Sequence, residues 1–144
     1  MDDELHELSG ELVVQAARFV RAVRRLSDSP GGALRVVSLL DEHGPLSVSA
    51  LARVDRCSQP TMSGAVASLV QRGWVAKTPD PADARSALVV LTAAGRAELA
   101  RARTIHADAV AAVIAAHPEH DLEDLRTTVA VLRALLSHTS EGNL

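Results

Sequence analysis

Two candidate helix starts lie 11 residues apart near the middle of the chain, and they constrain its fold more than any other feature. Ser47 and Ser58 both have a side-chain oxygen of the kind that caps helix N-termini. Pro60 falls in the first turn of the second helix, where its missing N–H costs nothing. The pattern predicts a helix over residues 48–54, a three-residue turn, and a second helix that runs to Arg72. This is the layout of a helix-turn-helix, whose second helix enters the major groove of DNA.

Two short apolar segments after this motif predict a β-hairpin. Residues 74–78 and 86–91 are rich in strand-forming side chains, and residues 79–85 between them carry two prolines and two aspartates. A hairpin directly after a helix-turn-helix makes a winged helix. The predicted fold class is therefore mainly α with a small β wing.

Apolar spacing predicts four further helices, which makes six in all. Residues 4–27 form one amphipathic pattern, and a second, shorter pattern is stopped by Gly44 and Pro45. Alanine-rich residues 93–116 follow Thr92, a candidate N-cap. In the last helix, apolar residues recur at steps of three and four, at Leu122, Leu125, Val129, Leu132 and Leu136. Such a seam is typical of helices that pack against a partner helix.

Length and charge limit the classes of protein that fit. A chain of 144 residues suits a single domain. Its net charge of −3 divides into −3 for residues 1–43, +2 for residues 44–92 and −2 for residues 93–144, so the middle segment favours an anionic partner. The acidic start and the lack of an apolar run of about 18 residues predict a cytoplasmic protein with no membrane segment.

The chain resembles the MarR family of bacterial transcription regulators over nearly its whole length. Four segments carry the likeness: the helix-turn-helix from Leu46 to Arg72, the strand Gly73-Trp74-Val75-Ala76-Lys77, the wing Asp80-Pro81-Ala82-Asp83-Ala84-Arg85-Ser86, and Leu91-Thr92-Ala93-Ala94-Gly95. The resemblance implies a homodimer whose first and last helices intertwine, with dimerisation helices in residues 1–43 and 93–144. Residues 44–92 would then form the winged helix that reads half of a near-palindromic operator. The chain departs from the family at Gly64 and Ala84, where arginine is common.

The resemblance also implies a role in gene control. It indicates a regulator, most often a repressor, that uses no cofactor and responds to a small anionic or phenolic effector or to a redox signal. The effector would bind between the dimer helices and the winged helix. Four arginines of the first helix are candidates for holding its carboxylate, although arginines at these steps usually form a solvated face. They are Arg18, Arg21, Arg24 and Arg25.

We expect DNA contacts from the helix-turn-helix and from the wing. Gln59 can pair with adenine, and nearby hydroxyls can bind phosphates. Arg85 would enter a narrow minor groove with Asp83 orienting its guanidinium, while Arg53 and Arg56 would contact phosphates. The full predicted set is Ser47, Arg53, Arg56, Ser58, Gln59, Thr61, Met62, Ser63, Lys77, Asp83 and Arg85. Met62 is also the strongest candidate of this set for the core.

Cys57, the single cysteine, has two interpretations. It precedes a helix N-terminus, where the helix dipole can lower a thiol pKa and favour oxidation. Alternatively, its spacing from Met62 is that of a hydrophobic staple, which gives it a packing role.

Other chemistry has little support in the sequence. His117 and His120 are the best candidates for metal ligands, but Pro118 between them indicates a helix end, and we expect no metal site. The sequence has no glycine-rich phosphate loop and no paired acid–base pattern, so we expect no enzyme. The alternative from another functional class is a winged-helix scaffold for protein–protein contact, which Gly64 and Ala84 slightly favour. Binding to DNA that weakens steeply with salt would exclude it.

Overall fold

The computed structural model describes residues 3–26 and 31–140 and contains the predicted six helices and hairpin. In chain order the elements are α1 (Asp3–Arg24), α2 (Gly31–His43), α3 (Val48–Asp55), α4 (Gln59–Gln71), β1 (Val75–Asp80), β2 (Asp83–Leu91), α5 (Ala93–Ala116) and α6 (Leu122–Ser140). The first helix ends at Arg24, three residues before the predicted end at residue 27, which lies outside the described residues. None of the described helices is long and apolar enough to span a membrane.

Both predicted caps of the helix-turn-helix are confirmed. The Ser47 hydroxyl accepts a hydrogen bond from the Ala50 N–H at 3.1 Å, and the Ser58 hydroxyl accepts one from the Thr61 N–H at 3.2 Å. Between the two helices, Arg56 adopts the left-handed conformation with φ +54°, which ends α3. The chain therefore turns within three residues, as the cap spacing predicted.

The core lies where α2, the helix-turn-helix and the hairpin meet. Its buried members come from six elements, which are both strands and the helices α2 to α5, because each of these helices turns apolar residues inward. They include Val37, Leu51, Met62, Val66, Leu69, Val75, Val89 and Leu99.

The hairpin is longer than predicted. Its strands extend to Asp80 and start again at Asp83, so most of the segment 79–85 that was predicted as a turn is strand. Pro79 is tolerated because β1, the strand that contains it, is an edge strand of the two-stranded sheet. The pairing is irregular there: Pro79 lies opposite Ala87, but the next pair is Asp80 with Asp83.

A backbone bridge outside the hairpin connects the wing to the helix-turn-helix. Leu46, in the connection before α3, exchanges both backbone hydrogen bonds with Val89 of β2, at 3.3 and 2.8 Å. Leu46 thereby adds a short third segment beside β2. The position of the wing relative to α3 is set by backbone as well as by side chains.

The start of α5 is joined closely to the end of α4. The Thr92 hydroxyl donates to the Gly73 carbonyl at 2.5 Å and accepts from the Gly95 N–H at 3.1 Å, which confirms Thr92 as the N-cap. The Thr92 N–H donates to the Trp74 carbonyl at 3.1 Å. A Cβ at Gly95 would overlap that same carbonyl, so only glycine fits at this position.

The chain divides into two compact units, residues 1–106 and 107–144. The first holds α1 to β2 and the first part of α5, and the second holds the rest of α5 and α6. In the second unit, Asp121 caps α6 by accepting from the N–H groups of Glu123 and Asp124 at 2.8 and 3.0 Å. Asp124 returns the contact by accepting from the Asp121 N–H at 3.1 Å, which is a reciprocal capping arrangement.

Candidate nucleic-acid interface

The first turn of α4 presents a row of polar side chains to solvent. Ser58, Gln59, Thr61 and Ser63 are all exposed. The Ser58 and Thr61 hydroxyls lie 2.7 Å apart, and Ser58 also caps the helix, so its oxygen already has partners. The exposed N-terminal turn of a second helix is the part of a helix-turn-helix that reaches base edges and phosphates.

Met62 does not belong to this exposed row, and its prediction as a DNA contact is wrong. Its side chain is 1% exposed and packs in the core with Val66 and Leu69. Residues 62, 66 and 69 follow the three- and four-residue spacing of one helix face, so Met62 must point inward if the other two do. The correction leaves the neighbouring polar residues free to face DNA.

The turn before α4 adds two exposed cations. Arg53 lies in the last turn of α3, and Arg56 is the residue that adopts the left-handed conformation. Both are exposed, and both lie shortly before Gln59, the first residue of α4. Ser47, by contrast, is half-buried and its hydroxyl caps α3.

In the wing, Arg85 is exposed in the irregular part of β2. Because the pairing moves from Pro79–Ala87 to Asp80–Asp83, residues 84–86 have no Cα partner on β1. Bulges of this kind redirect side chains out of a ladder. Lys77 is exposed on β1 in the regular part of the hairpin.

The contact of Asp83 differs from the expected one. Its carboxylate accepts a hydrogen bond from the backbone N–H of Arg85 at 2.9 Å, and Asp80 makes the equivalent contact to Ala82. Among the described ion pairs, none joins Asp83 to the Arg85 guanidinium. Asp83 therefore fixes the backbone of the wing tip and leaves the guanidinium of Arg85 available for an external anion.

Cys57 occupies a half-buried position in the helix-turn-helix turn and packs against the core. Desolvation by burial, and next the carboxylate of Asp55 through charge and a hydrogen bond, raise the pKa of the Cys57 thiol. The guanidinium of Arg35 acts in the opposite direction. A raised pKa keeps the thiol protonated, which favours the packing role of Cys57 over the sensor role.

The two histidines considered as metal ligands lie in the second unit and have local partners. The Nδ1 of His117 lies 2.8 Å from the Val113 carbonyl one turn back, and His120 lies 3.6 Å from Asp124. No group of three or more potential ligands gathers within the described ranges.

A cavity of about 260 Å³ lies within the first unit, between α1, α2 and α5. Its apolar wall consists of Phe19, Val20, Val23, Leu34, Leu99 and Ala102. Its polar lining consists of Arg24, Arg35, Ser38, Arg103 and His106. No carboxylate is among these described lining residues, so the cavity combines an apolar wall with three arginines.

The charges of this cavity come from three different helices. Of the four α1 arginines considered above, only Arg24 lines it, whereas Arg35 and Arg103 come from α2 and α5. Helical spacing within α1 could not reveal them, because the cavity forms only when the helices pack together. The Nε2 of His106 is buried with no hydrogen-bond partner among the described atoms.

Known proteins share both the sequence pattern and the fold. The model of the MarR family matches residues 32–87. An uncharacterised HTH-type transcriptional regulator from Mycobacterium leprae is 33% identical over 105 residues, which are 71% of this chain and 73% of the relative. A MarR family protein from Bacillus stearothermophilus has the same fold at 19% identity, with a TM-score of 0.77 over 97% of this chain and 99% of that one.

A second solved structure has been described in terms of ligand control. It concerns the mechanism for regulation of DNA binding of Bordetella bronchiseptica BpsR by 6-hydroxynicotinic acid. It is 24% identical, has a TM-score of 0.60, and covers 88% of this chain and 91% of its own. At this identity the likeness concerns the fold.

Proposed function

Because the chain belongs to the MarR family and is a DNA-binding transcriptional regulator, we propose that it represses genes as a homodimer on a near-palindromic operator. A small organic anion would release it from DNA. We assign the protein no catalytic activity and place its action in the cytoplasm, where a bacterial operator is accessible. The protein-interaction scaffold is the less favoured function, since the relatives are regulators of transcription.

The observation that carries this proposal is the division of α4 into two faces. Met62, Val66 and Leu69 anchor one face in the core, so the opposite face is held rigidly at the surface. That surface presents Gln59, Ser63 and their neighbours at the helix N-terminus. Rigid presentation of donors and acceptors is what base recognition in the major groove requires.

The wing and the turn would supply contacts that position the protein. Arg85 would enter the minor groove next to the major groove that α4 occupies, where A·T-rich DNA has the strongest negative potential. Arg53, Arg56 and Lys77 would bind phosphates, which contribute affinity without sequence information.

Exposed apolar residues on α1 support a homodimer. No described residue of α1 is buried, although Leu8, Val13 and Phe19 are large and apolar. The last helix also exposes apolar side chains, among them Leu132 and Leu136 of the predicted seam. A second copy of the chain would cover these residues, as the family resemblance implies, and would place two α4 helices on successive major grooves.

The cavity between α1, α2 and α5 supports the effector part of the proposal. Its apolar wall suits a small hydrophobic body, and its three arginines suit a carboxylate or phenolate. The volume of about 260 Å³ is on the scale of a small organic molecule. The Bordetella bronchiseptica protein, whose DNA binding is regulated by 6-hydroxynicotinic acid, provides a precedent for this class of ligand.

The direct test is a footprint on the DNA that flanks the gene. We expect protection of two half-sites whose centres lie about one helical turn apart, because a symmetric dimer places its two recognition helices at that spacing. Protection of a single half-site would contradict the dimer, and no protection of any duplex would contradict DNA binding.

A further inference from the structure

Arg35 belongs to two places in the molecule at once. It is one of the residues that line the cavity between α1, α2 and α5. Its Nε forms an ion pair with Asp55 Oδ1, and its Nη2 donates to the Asp55 backbone carbonyl at 3.4 Å. Asp55 is the last residue of α3, directly before the left-handed Arg56 that starts the helix-turn-helix turn. One residue thus lies both at the cavity and at the element that positions α4.

The Asp55 carboxylate depends on this contact. Its side chain is 14% exposed, and its buried Oδ1 is the atom that pairs with the Arg35 guanidinium. A cation at a helix C-terminus also stabilises the final carbonyl groups. Removal of Arg35 would leave a partly buried charge unpaired in the turn, which is costly.

Resting on the function proposed above, we propose that an organic carboxylate in the cavity competes with Asp55 for the guanidinium of Arg35. Binding of the carboxylate draws Arg35 away from Asp55 and detaches the helix-turn-helix turn from α2. The turn then adopts conformations in which α4 is misplaced for the operator. Arg35 is therefore both the residue that selects an anion and the residue that transmits its binding.

A neighbouring ion pair provides an internal comparison. Arg103 also lines the cavity, and it pairs with Asp41 at 2.9 Å. Asp41 is 39% exposed and belongs to α2, outside the helix-turn-helix turn. Loss of that pair exposes a carboxylate to water and leaves the turn unchanged. Both pairs join an arginine of the cavity to an aspartate, but only Asp55 lies at the helix-turn-helix turn.

Competition between the carboxylate and Asp55 has thermodynamic consequences that can be measured. If the carboxylate weakens operator binding by a given factor, the operator weakens carboxylate binding by the same factor. In a variant whose Arg35 is already released, the carboxylate does not have to break the ion pair with Asp55. The affinity of that variant for the carboxylate should therefore be higher than that of the unmodified protein. Such a variant also binds the operator weakly before any ligand is added.

The test uses benzoate as the probe and benzamide, its neutral analogue, as the ligand control. The full-length protein is compared with Asp55→Asn, which releases Arg35, and with Asp41→Asn, which releases Arg103. Calorimetry without DNA gives each benzoate Kd. Fluorescence anisotropy on the footprinted operator gives each operator Kd with and without benzoate.

We expect saturating benzoate to raise the operator Kd of the unmodified protein by about tenfold, within the usual range of allosteric coupling, and benzamide to leave it unchanged. Asp55→Asn should bind benzoate about three- to tenfold more tightly, bind the operator more weakly, and lose most of its response to benzoate. Asp41→Asn should retain the operator affinity and the response of the unmodified protein.

Three results would overturn the exchange: no benzoate binding to the unmodified protein, equal benzoate affinity in Asp55→Asn and the unmodified protein, or the same operator behaviour in both Asn variants. Failure of the unmodified protein to bind any operator would instead contradict the proposed function as a DNA-binding regulator. The calorimetric comparison would still decide whether Asp55 and benzoate compete for Arg35.

A second variant covers the case in which Asp55→Asn fails to fold, as judged by circular dichroism. Arg35→Met keeps a long side chain but removes the charge from both places. It should lower the affinity for benzoate and for the operator together, and benzoate should have no further effect on DNA binding. Retention of a full benzoate response in Arg35→Met would contradict the proposal.

Discussion

Gly95 allows two parts of the winged helix to pack closely, because it has no side chain. The first turn of α5 approaches the backbone of Trp74 so closely that a Cβ at this position would overlap its carbonyl oxygen. Thr92 adds two hydrogen bonds at the same junction. The Leu-Thr-x-x-Gly segment is therefore a structural joint between the wing and the helix that leaves it.

We expect Gly95→Ala to lower the free energy of unfolding by about 1–3 kcal/mol, because the added methyl group forces backbone to move in a packed region. Gly64→Ala is the matched control, since a Cβ there meets no atom within 4 Å and the site is a helix interior. It should raise stability by about 0.5–1 kcal/mol. Urea denaturation at equal protein concentration measures the free energy of unfolding of both variants. An unchanged free energy in Gly95→Ala would contradict the close packing of α5 against Trp74.

The raised pKa of Cys57 predicts a slow thiol at neutral pH. Because the thiolate is the reacting species, alkylation by iodoacetamide should accelerate only as the pH rises above the range where free cysteine ionises. Asp55→Asn removes the carboxylate charge that helps to raise the pKa of Cys57, so the pKa of the thiol should fall and its alkylation rate at neutral pH should increase. Fast alkylation of the unmodified protein at neutral pH would instead support a redox sensor.

Arg85 is the residue of the wing that carries the DNA-binding prediction. We expect Arg85→Ala to weaken operator binding by about tenfold or more, since the guanidinium would lie in a minor groove of strong negative potential. The elution volume in size-exclusion chromatography should stay that of the unmodified protein, because Arg85 lies in the irregular part of the hairpin and outside the core. Unchanged affinity for the operator would remove the wing from the interface.

The helix-turn-helix could be predicted nearly to the residue, because its signals are local. Serine caps, a proline in a first turn and apolar spacing act within one or two turns of helix, and they fix α3 and α4 without knowledge of the remaining chain. The hairpin could be predicted only in part. Pro79 and Asp83 read as turn residues, yet a two-stranded sheet with free edges keeps them in strands.

The recognition helix itself allows a matched pair of substitutions. Gln59 and Gln71 are both exposed and stand at opposite ends of α4. We expect Gln59→Ala to reduce discrimination at one base pair by about 1–3 kcal/mol, the usual worth of a bidentate base contact. Gln71→Ala, at the end of α4 remote from the proposed bases, should leave discrimination unchanged. Equal effects of the two substitutions in a competition assay would contradict the docking of α4 by its N-terminus.

At the scale of the whole molecule, the cavity is the part that the sequence could not reveal. Arg24, Arg35 and Arg103 come from three helices, and only tertiary packing brings them around one space. The contact of Arg35 with Asp55 likewise spans 20 positions in the chain. Local patterns predict which elements form, whereas a binding site assembled from several elements depends on how those elements pack.

The proposed homodimer also belongs to the scale of the whole molecule. Apolar residues on α1 and α6, such as Leu12 and Leu136, are exposed in the single chain. A homodimer that buries them would bring two mildly basic winged helices to one operator. Two winged helices on one operator double the number of phosphate contacts.

The central claim is that this chain binds DNA through α4 and the wing, and salt dependence tests it most directly. Anisotropy titrations of the purified protein against the DNA that flanks its gene are run at two salt concentrations, with a scrambled duplex as control. We predict selective binding whose affinity falls steeply with salt, with a logarithmic slope of about −0.9 for each phosphate contacted. Equal binding to both duplexes, or an affinity that salt leaves unchanged, would contradict the account.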